Sequence, residues 1–282
     1  DISLNNYCMD ASRLEDALKK DKKNNIKAAI ITDYGGQPAE WEKFIILKKK
    51  YKIILINDCC HSMGSAIEKN IGYASKFADF VSLSFHPVKA ITTGEGGAIL
   101  SNNKKYDNDI KLLRSHGIVR KKNNFWKYNV FTLGYNFRLP DLNCALGLSQ
   151  LKKLDKFVQK RKEVSKIYDN FFKDKNKFIT PKKINNNDNS YHLYPLLVNF
   201  NKIKKSKDNV IKDFFKFGIK LQVHYIPVNL QPYYKNKYGI KKNNFKNSMY
   251  FFDRVISLPV YYKITNKDIN YFKKICKKIF DI

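Results

Sequence analysis

The sequence predicts an α/β protein, a mostly parallel sheet wrapped by helices, followed by a smaller α+β unit. Three observations carry this. The runs Ala28-Ala29-Ile30-Ile31-Thr32 and Tyr51-Lys52-Ile53-Ile54-Leu55-Ile56-Asn57-Asp58 read as buried strands, the second ending in polar groups. Helical segments alternate with the strands, as a parallel sheet with crossover helices requires. Composition then shifts at Lys173 to Asn189, a stretch rich in lysine, asparagine and aspartate that reads as a loop. Residues 1–160 are assigned to the first unit and 161–282 to the second.

The elements follow in order. Leu14 to Lys20 reads as a short helix, and Ala28 to Thr32 as a strand. Trp41 to Lys50 reads as a helix with apolar residues at Phe44, Ile45 and Leu47. Strands are expected at Ile53 to Ile56, at Phe80 to Ser84 and at Ala98 to Leu100, the last after a turn rich in glycine. Asp107 to Arg114 is helical, as is Leu139 to Tyr168 with a break near Phe157. In the second unit, Tyr191 to Val198 and Leu221 to His224 read as strands, and Asn209 to Phe217 and Asn266 to Phe280 as helices. There is no internal repeat.

Composition limits the function classes. The net charge of +29 comes from 54 basic residues against 25 acidic ones, but only 6 of the basic residues are arginine and the lysines run along the whole chain. No nucleic-acid module accompanies them, so specific nucleic-acid binding is not expected. A charged nucleotide sugar would also feel this field. Five cysteines without C-x-x-C spacing argue against a disulfide scaffold and a zinc site, and fit a reducing cytoplasm. No apolar run is long enough to cross a membrane, and no signal peptide is expected.

The most informative stretch is Ser84-Phe85-His86-Pro87-Val88-Lys89-Ala90-Ile91-Thr92-Thr93-Gly94-Glu95-Gly96-Gly97. Lys89 is the only lysine between Phe80 and Leu100. A lysine that does covalent chemistry must be partly neutral near pH 7, and removal from water lowers a lysine's pKa. A strand ending at Ser84 would place a hydroxyl and an amine where α/β sheets collect ligands. Pyridoxal phosphate needs both, one for its phosphate and one for a Schiff base. Asp58, at the end of another strand, could pair with the pyridine nitrogen, and His61 could stack on the ring. Taken alone, these residues leave open a solvated lysine, a capping aspartate and a satisfied semi-buried histidine.

Together the segments resemble the DegT/DnrJ/EryC1/StrS family of sugar aminotransferases. Asn57-Asp58-Cys59-Cys60-His61-Ser62-Met63-Gly64 and Ser84 to Gly97 match two of its motifs in order. Leu113-Arg114-Ser115-His116-Gly117 and Gly134-Tyr135-Asn136-Phe137-Arg138-Leu139-Pro140-Asp141 match two more. Further runs, among them Asp33-Tyr34-Gly35-Gly36-Gln37-Pro38, Tyr191-His192-Leu193-Tyr194-Pro195 and Gln222-Val223-His224-Tyr225, are similar to the family's pseudaminic-acid branch. The resemblance runs from near Asp33 to the C-terminus. The family pattern carries roughly a hundred residues before the point where this chain begins, including a turn that grips the cofactor phosphate. A fragment lacking part of the sheet is therefore expected.

The resemblance implies a type I pyridoxal-phosphate transferase fold and an amino transfer from L-glutamate to C4 of a UDP-linked 4-keto-6-deoxy-N-acetylhexosamine. By resemblance, Lys89 carries the cofactor and moves the proton, and Asp58 holds the pyridine nitrogen. His61 stacks on the ring and Ser84 binds the phosphate. Asn136 reaches the cofactor phosphate of a neighbouring subunit, which makes the active form a homodimer. His116, Arg138, His224 and Tyr225 are candidates for substrate contacts. An aminotransferase for another nucleotide keto-sugar and an inactive polyanion-binding fragment are the alternatives. The family's lysine-less dehydratase branch is disfavoured by Lys89.

Overall fold

The computed structural model describes residues 1–121, 123–184, 186–240 and 244–282. In chain order the first half runs α1 (Ala11–Lys20), β1 (Ala28–Thr32), α2 (Trp41–Tyr51), β2 (Ile54–Asp58), β3 (Ala66–Ile67), α3 (Tyr73–Phe77), β4 (Phe80–Ser84), β5 (Gly97–Leu100), α4 (Asp107–Arg114), β6 (Ile118–Lys121), β7 (Asn124–Val130) and α5 (Asp141–Leu151). The second half runs α6 (Leu154–Phe172), β8 (Phe178–Ile179), β9 (Asn187–Asp188), β10 (Tyr194–Val198), α7 (Phe200–Ile203), α8 (Lys207–Lys216), α9 (Pro232–Tyr238), α10 (Lys246–Arg254), β11 (Val255–Leu258) and α11 (Asn266–Phe280).

β1, β2 and β4 lie side by side and parallel, and β5 joins β4 antiparallel, giving the order β1-β2-β4-β5. Their register puts Thr32 and Asp58, the last residues of β1 and β2, abreast of Ser82, two residues before the end of β4. One face of this sheet is covered. Ala29, Ile31, Leu55 and Val81 pack there against Leu14 and Leu18 of α1, Trp41, Phe44 and Leu47 of α2, and Tyr73 of α3. The other face is open, with Ile30 and Ile99 exposed. This corrects the reading of β1 and β2 as buried on both faces. Their continuous apolar runs carry residues for two covered faces, and packing occurs on one.

A second core joins α6, α8 and α11 to the antiparallel sheet β11-β10-β8. α11 buries Ile269, Phe272, Ile275, Cys276, Ile279 and Phe280, a stripe at helical spacing. Thr265 starts that helix in a capping box with Asp268. Between the cores, Tyr7, Leu197, Phe251 and Val255 form a small bridging cluster.

Several expectations need correction. The helix break falls at Lys152–Lys153 instead of Phe157, because α6 must turn to bury Val158, Val164 and Tyr168. Leu221 to His224 is not a strand. Only Gln222 pairs, with Ser257 on the free edge of β11, before the chain leaves to carry His224 elsewhere. The stretch 173–189 contains β8 and β9 as well as loop, and position 185 within it lies outside the described residues. The expected elements include neither the hairpin β6–β7 nor the helices α3, α7, α9 and α10.

Candidate active site

Asp58 is the last residue of β2. The Thr32 hydroxyl donates to one of its carboxylate oxygens and the Cys60 N–H to the other, both at 3.2 Å. No cation pairs with it among the described residues. Its neighbour Asn57 points the opposite way, into the covered face, where Asn57 Nδ2 donates to Asp33 at 3.0 Å. Strand alternation thus sends one polar side chain to the scaffold and the next to the site.

Asp33 is fully buried and is the scaffold's hub. Oδ1 accepts from Ala39 N (2.8 Å) and Trp41 Nε1 (3.0 Å). Oδ2 accepts from Asn57, from Ser62 Oγ (3.1 Å) and from Tyr73 OH (2.7 Å). Burial raises the pKa of Asp33, and these donors oppose the rise.

His61 sits in the turn after β2 and is buried. The Gly35 N–H points at its Nδ1 from 3.4 Å, which favours a proton on Nε2. Burial, reinforced by the Lys89 charge and partly offset by Asp58, holds its pKa down at about 4. The imidazole is therefore neutral at pH 7.

Ser84 closes β4, and the chain then turns through His86 and Pro87, with the Lys89 N–H donating to the His86 carbonyl at 2.9 Å. The turn is closed by Thr93 N–H to Phe85 O (3.0 Å) and anchored on α5 by Asn143 Nδ2 to Thr93 O (2.5 Å). Lys89 is half-buried and, among the described residues, forms no ion pair. Its charge is felt at His61, Cys60, His192 and His224. His224 Nδ1 lies 2.8 Å from Ser257 Oγ, and its carbonyl accepts from Tyr34 OH at 2.5 Å. Burial, then Lys89, lowers the His224 pKa. The Tyr225 ring lies 6.3 Å from that of His61, and burial followed by Asp58 raises its pKa.

The structure therefore gathers Lys89, Asp58, His61, Ser84, His224 and Tyr225 around the carboxyl ends of β2 and β4. His116, Asn136 and Arg138 are exposed. Ser115 pairs with Asn136, and His116 N–H donates to Tyr135 O at 2.9 Å. Gly117, at φ 67°, makes this crossing possible, since a Cβ there would lie 1.9 Å from Thr132 O. Among the described residues no hydrogen bond or ion pair joins this group to Lys89. The residues that sequence reasoning missed are Asp33, Tyr34, Ser257 and His192. Asp33, Tyr34 and His192 lie in runs that resemble the family's pseudaminic-acid branch, but their neighbours in space are distant in sequence, so the runs do not show their contacts.

The family model for DegT/DnrJ/EryC1/StrS aminotransferases matches residues 1–279. The chain belongs to this family. A Campylobacter jejuni relative, UDP-4-amino-4,6-dideoxy-N-acetyl-β-L-altrosamine transaminase, is 40% identical over 267 residues, covering 94% of this chain and 68% of the relative. Among solved family structures, Helicobacter pylori PseC, an aminotransferase of pseudoaminic acid biosynthesis, superposes with a TM-score of 0.90 at 32% identity. That match covers 99% of this chain and 72% of PseC. A Streptococcus pneumoniae chain described as a sugar aminotransferase, in its PLP form, gives a TM-score of 0.85 at 26% identity, covering 100% and 74%. The type I transferase fold expected from the motifs is the fold of these structures. None of the described helices is long and apolar enough to cross a membrane.

Proposed function

We propose that the protein is a pyridoxal-phosphate aminotransferase of pseudaminic acid biosynthesis, moving an amino group from L-glutamate to C4 of a UDP-linked 4-keto-6-deoxy-N-acetylhexosamine. One observation carries the reading. An amine and a carboxylate, neither in an ion pair among the described residues, flank a neutral buried imidazole at the strand ends of a chain 40% identical to the Campylobacter transaminase.

These side chains fit pyridoxal phosphate. Asp58 would hold the protonated pyridine nitrogen, His61 would lie against the ring, Ser84 would donate to the phosphate and Lys89 would carry the aldehyde carbon. When bound, the cofactor supplies an electron sink for the bond broken at the donor's α-carbon. Asp58 suits its part because its oxygens accept from the Thr32 hydroxyl and the Cys60 N–H but, among the described residues, from no cation, which leaves its charge for one. Lys89 Nζ takes the proton from the donor's α-carbon and later returns one on the path to the sugar. Neutral His61 adds no positive charge that would compete for Asp58. His224, oriented by Ser257, and Tyr225 line the substrate side.

The homodimer is part of the same reading, with Asn136 serving the partner's cofactor phosphate and His116 and Arg138 beside it. Exposure supports this. α5 buries none of its residues, and Leu142 on it is 83% exposed. The division into residues 1–160 and 161–282 also belongs here, supported by the separate apolar clusters within residues 8–81 and 164–280.

Lys89→Ala tests the assignment. The wild type should absorb near ~420 nm with cofactor and retain it covalently after borohydride reduction. The variant should do neither, and should not turn over glutamate with the UDP-keto-sugar. Turnover retained by Lys89→Ala would remove Lys89 from the reaction.

A further inference from the structure

Behind His61 lies a block of residues for which the chemistry above has no use. His192, from the strap leading into β10, packs its imidazole on that of His61, with ring centroids 4.3 Å apart and planes inclined by 36°. His61 is 8% exposed and His192 7%. The same strap grips the His61 backbone, where Ser190 Oγ donates to the His61 carbonyl at 3.2 Å. Ser190 N–H is shared between Ser65 Oγ (3.2 Å) and Gly36 O (3.3 Å), and Leu193 N–H donates to Gly35 O (3.1 Å). Gly36 has to be glycine for this docking, because at φ 98° a Cβ would stand 2.6 Å from Ser190 Oγ.

His192 is held in turn from α6. Arg161, 8% exposed, directs Nη1 at the carbonyls of Tyr191 (3.3 Å), His192 (3.2 Å) and Val260 (2.9 Å). No carboxylate pairs with this guanidinium among the described residues, so its charge rests on backbone dipoles beside His192. Burial first, then His61 and Arg161, hold the His192 pKa at about 2. Both imidazoles are therefore neutral and can stay in contact, where two charged rings would repel.

We propose that His192 is a positioning residue for the cofactor: it backs one face of the His61 ring, Arg161 pins it, and together they fix the plane against which the pyridine ring is seated. The proposal rests on the reading that His61 meets that ring. It gives the second unit of the chain a part in cofactor binding from behind the site.

Fluorescence titration of the protein with pyridoxal 5′-phosphate tests it. His61→Ala should weaken binding about tenfold, the scale of one lost ring contact. His192→Ala should weaken it by a similar factor, and His192→Phe, which keeps a flat ring, should restore it to within about threefold. The double variant His61→Ala/His192→Ala should bind no more weakly than His61→Ala alone, since His192 acts through His61. Unchanged binding in His61→Ala would sink the stacking reading itself. A loss in His61→Ala with none in His192→Ala, or losses that add, would overturn only the backing role. A second readout needs no cofactor. The His61 imidazole resonance should titrate near about 4 in the wild type and in His192→Phe, but nearer about 6.5 in His192→Ala, as water reaches the ring. Identical titration in all three proteins overturns the proposal.

Discussion

Asp33 collects five donors from four segments of chain, and each donor would lose its acceptor if the carboxylate were removed. Asp33→Ala should cost about 3–5 kcal/mol of unfolding free energy, read from urea denaturation, because buried donors are expensive to leave unmade. A loss below about 1 kcal/mol would show that water replaces the hub. The two buried histidines give a pH signature of known sign. Their folded pKa values, about 4 for His61 and about 2 for His192, lie below the unfolded value of about 6.5. The unfolded chain therefore binds more protons as pH falls through 6.5. Stability should be fully present above that point and should drop by roughly 2 kcal/mol per imidazole by pH 5. A flat stability profile between pH 7 and pH 5 would mean that water already hydrates both rings. At this scale the sequence was legible where chemistry and spacing coincide. Lys89 stood out as a lone lysine five residues beyond a strand-end serine. Asp33 did not, since nothing in Asp33-Tyr34-Gly35 tells a reader that Trp41, Asn57, Ser62 and Tyr73 converge on it.

α11 shows why some elements could be read closely. Its apolar stripe repeats at helical spacing and its first turn carries the Thr265–Asp268 box, so period and start signal agree. Thr265→Ala should lower stability by about 1 kcal/mol, measured as a shift in the denaturation midpoint at constant slope. No shift would mean that α11 is held by its buried face alone. The β6–β7 hairpin was less legible. Trp126, Tyr128 and Val130 alternate as a strand should, but they face solvent, and the lysines around them read as loop. The end of α5 carries neither glycine nor proline, so the bend at Lys152–Lys153 is set by what α6 must bury, a fact of packing that the local sequence does not carry.

For the whole molecule, the proposed homodimer, in which Asn136 serves the partner's site, has a direct test. A chain with Asn136→Ala mixed with one carrying Lys89→Ala should regain activity, because each mixed dimer holds one intact site. Random assortment makes half the dimers mixed, so recovery should approach about a quarter of wild type. If mixing restores nothing beyond the sum of the parents, Asn136 serves its own subunit. Alternating elements imply a mostly parallel sheet, and β1, β2 and β4 form one, whereas the strap was not legible, because Tyr191 to Leu193 reads as the start of the strand that begins only at Tyr194.

That strap also sets a timetable. Ser190 meets Ser65 across 125 positions of sequence and Tyr34 meets the His224 carbonyl across 190. Contacts of such span close late, since loop entropy is lost before they return anything. The β1–β2–β4 ladder can form while the chain is still emerging from the ribosome, but His61 has no backing until residue 192 arrives and His224 has no seat until residue 257 does. In the proposed reading, competence to capture the cofactor therefore waits for β11, and a chain interrupted before it should carry Lys89 without its enclosure.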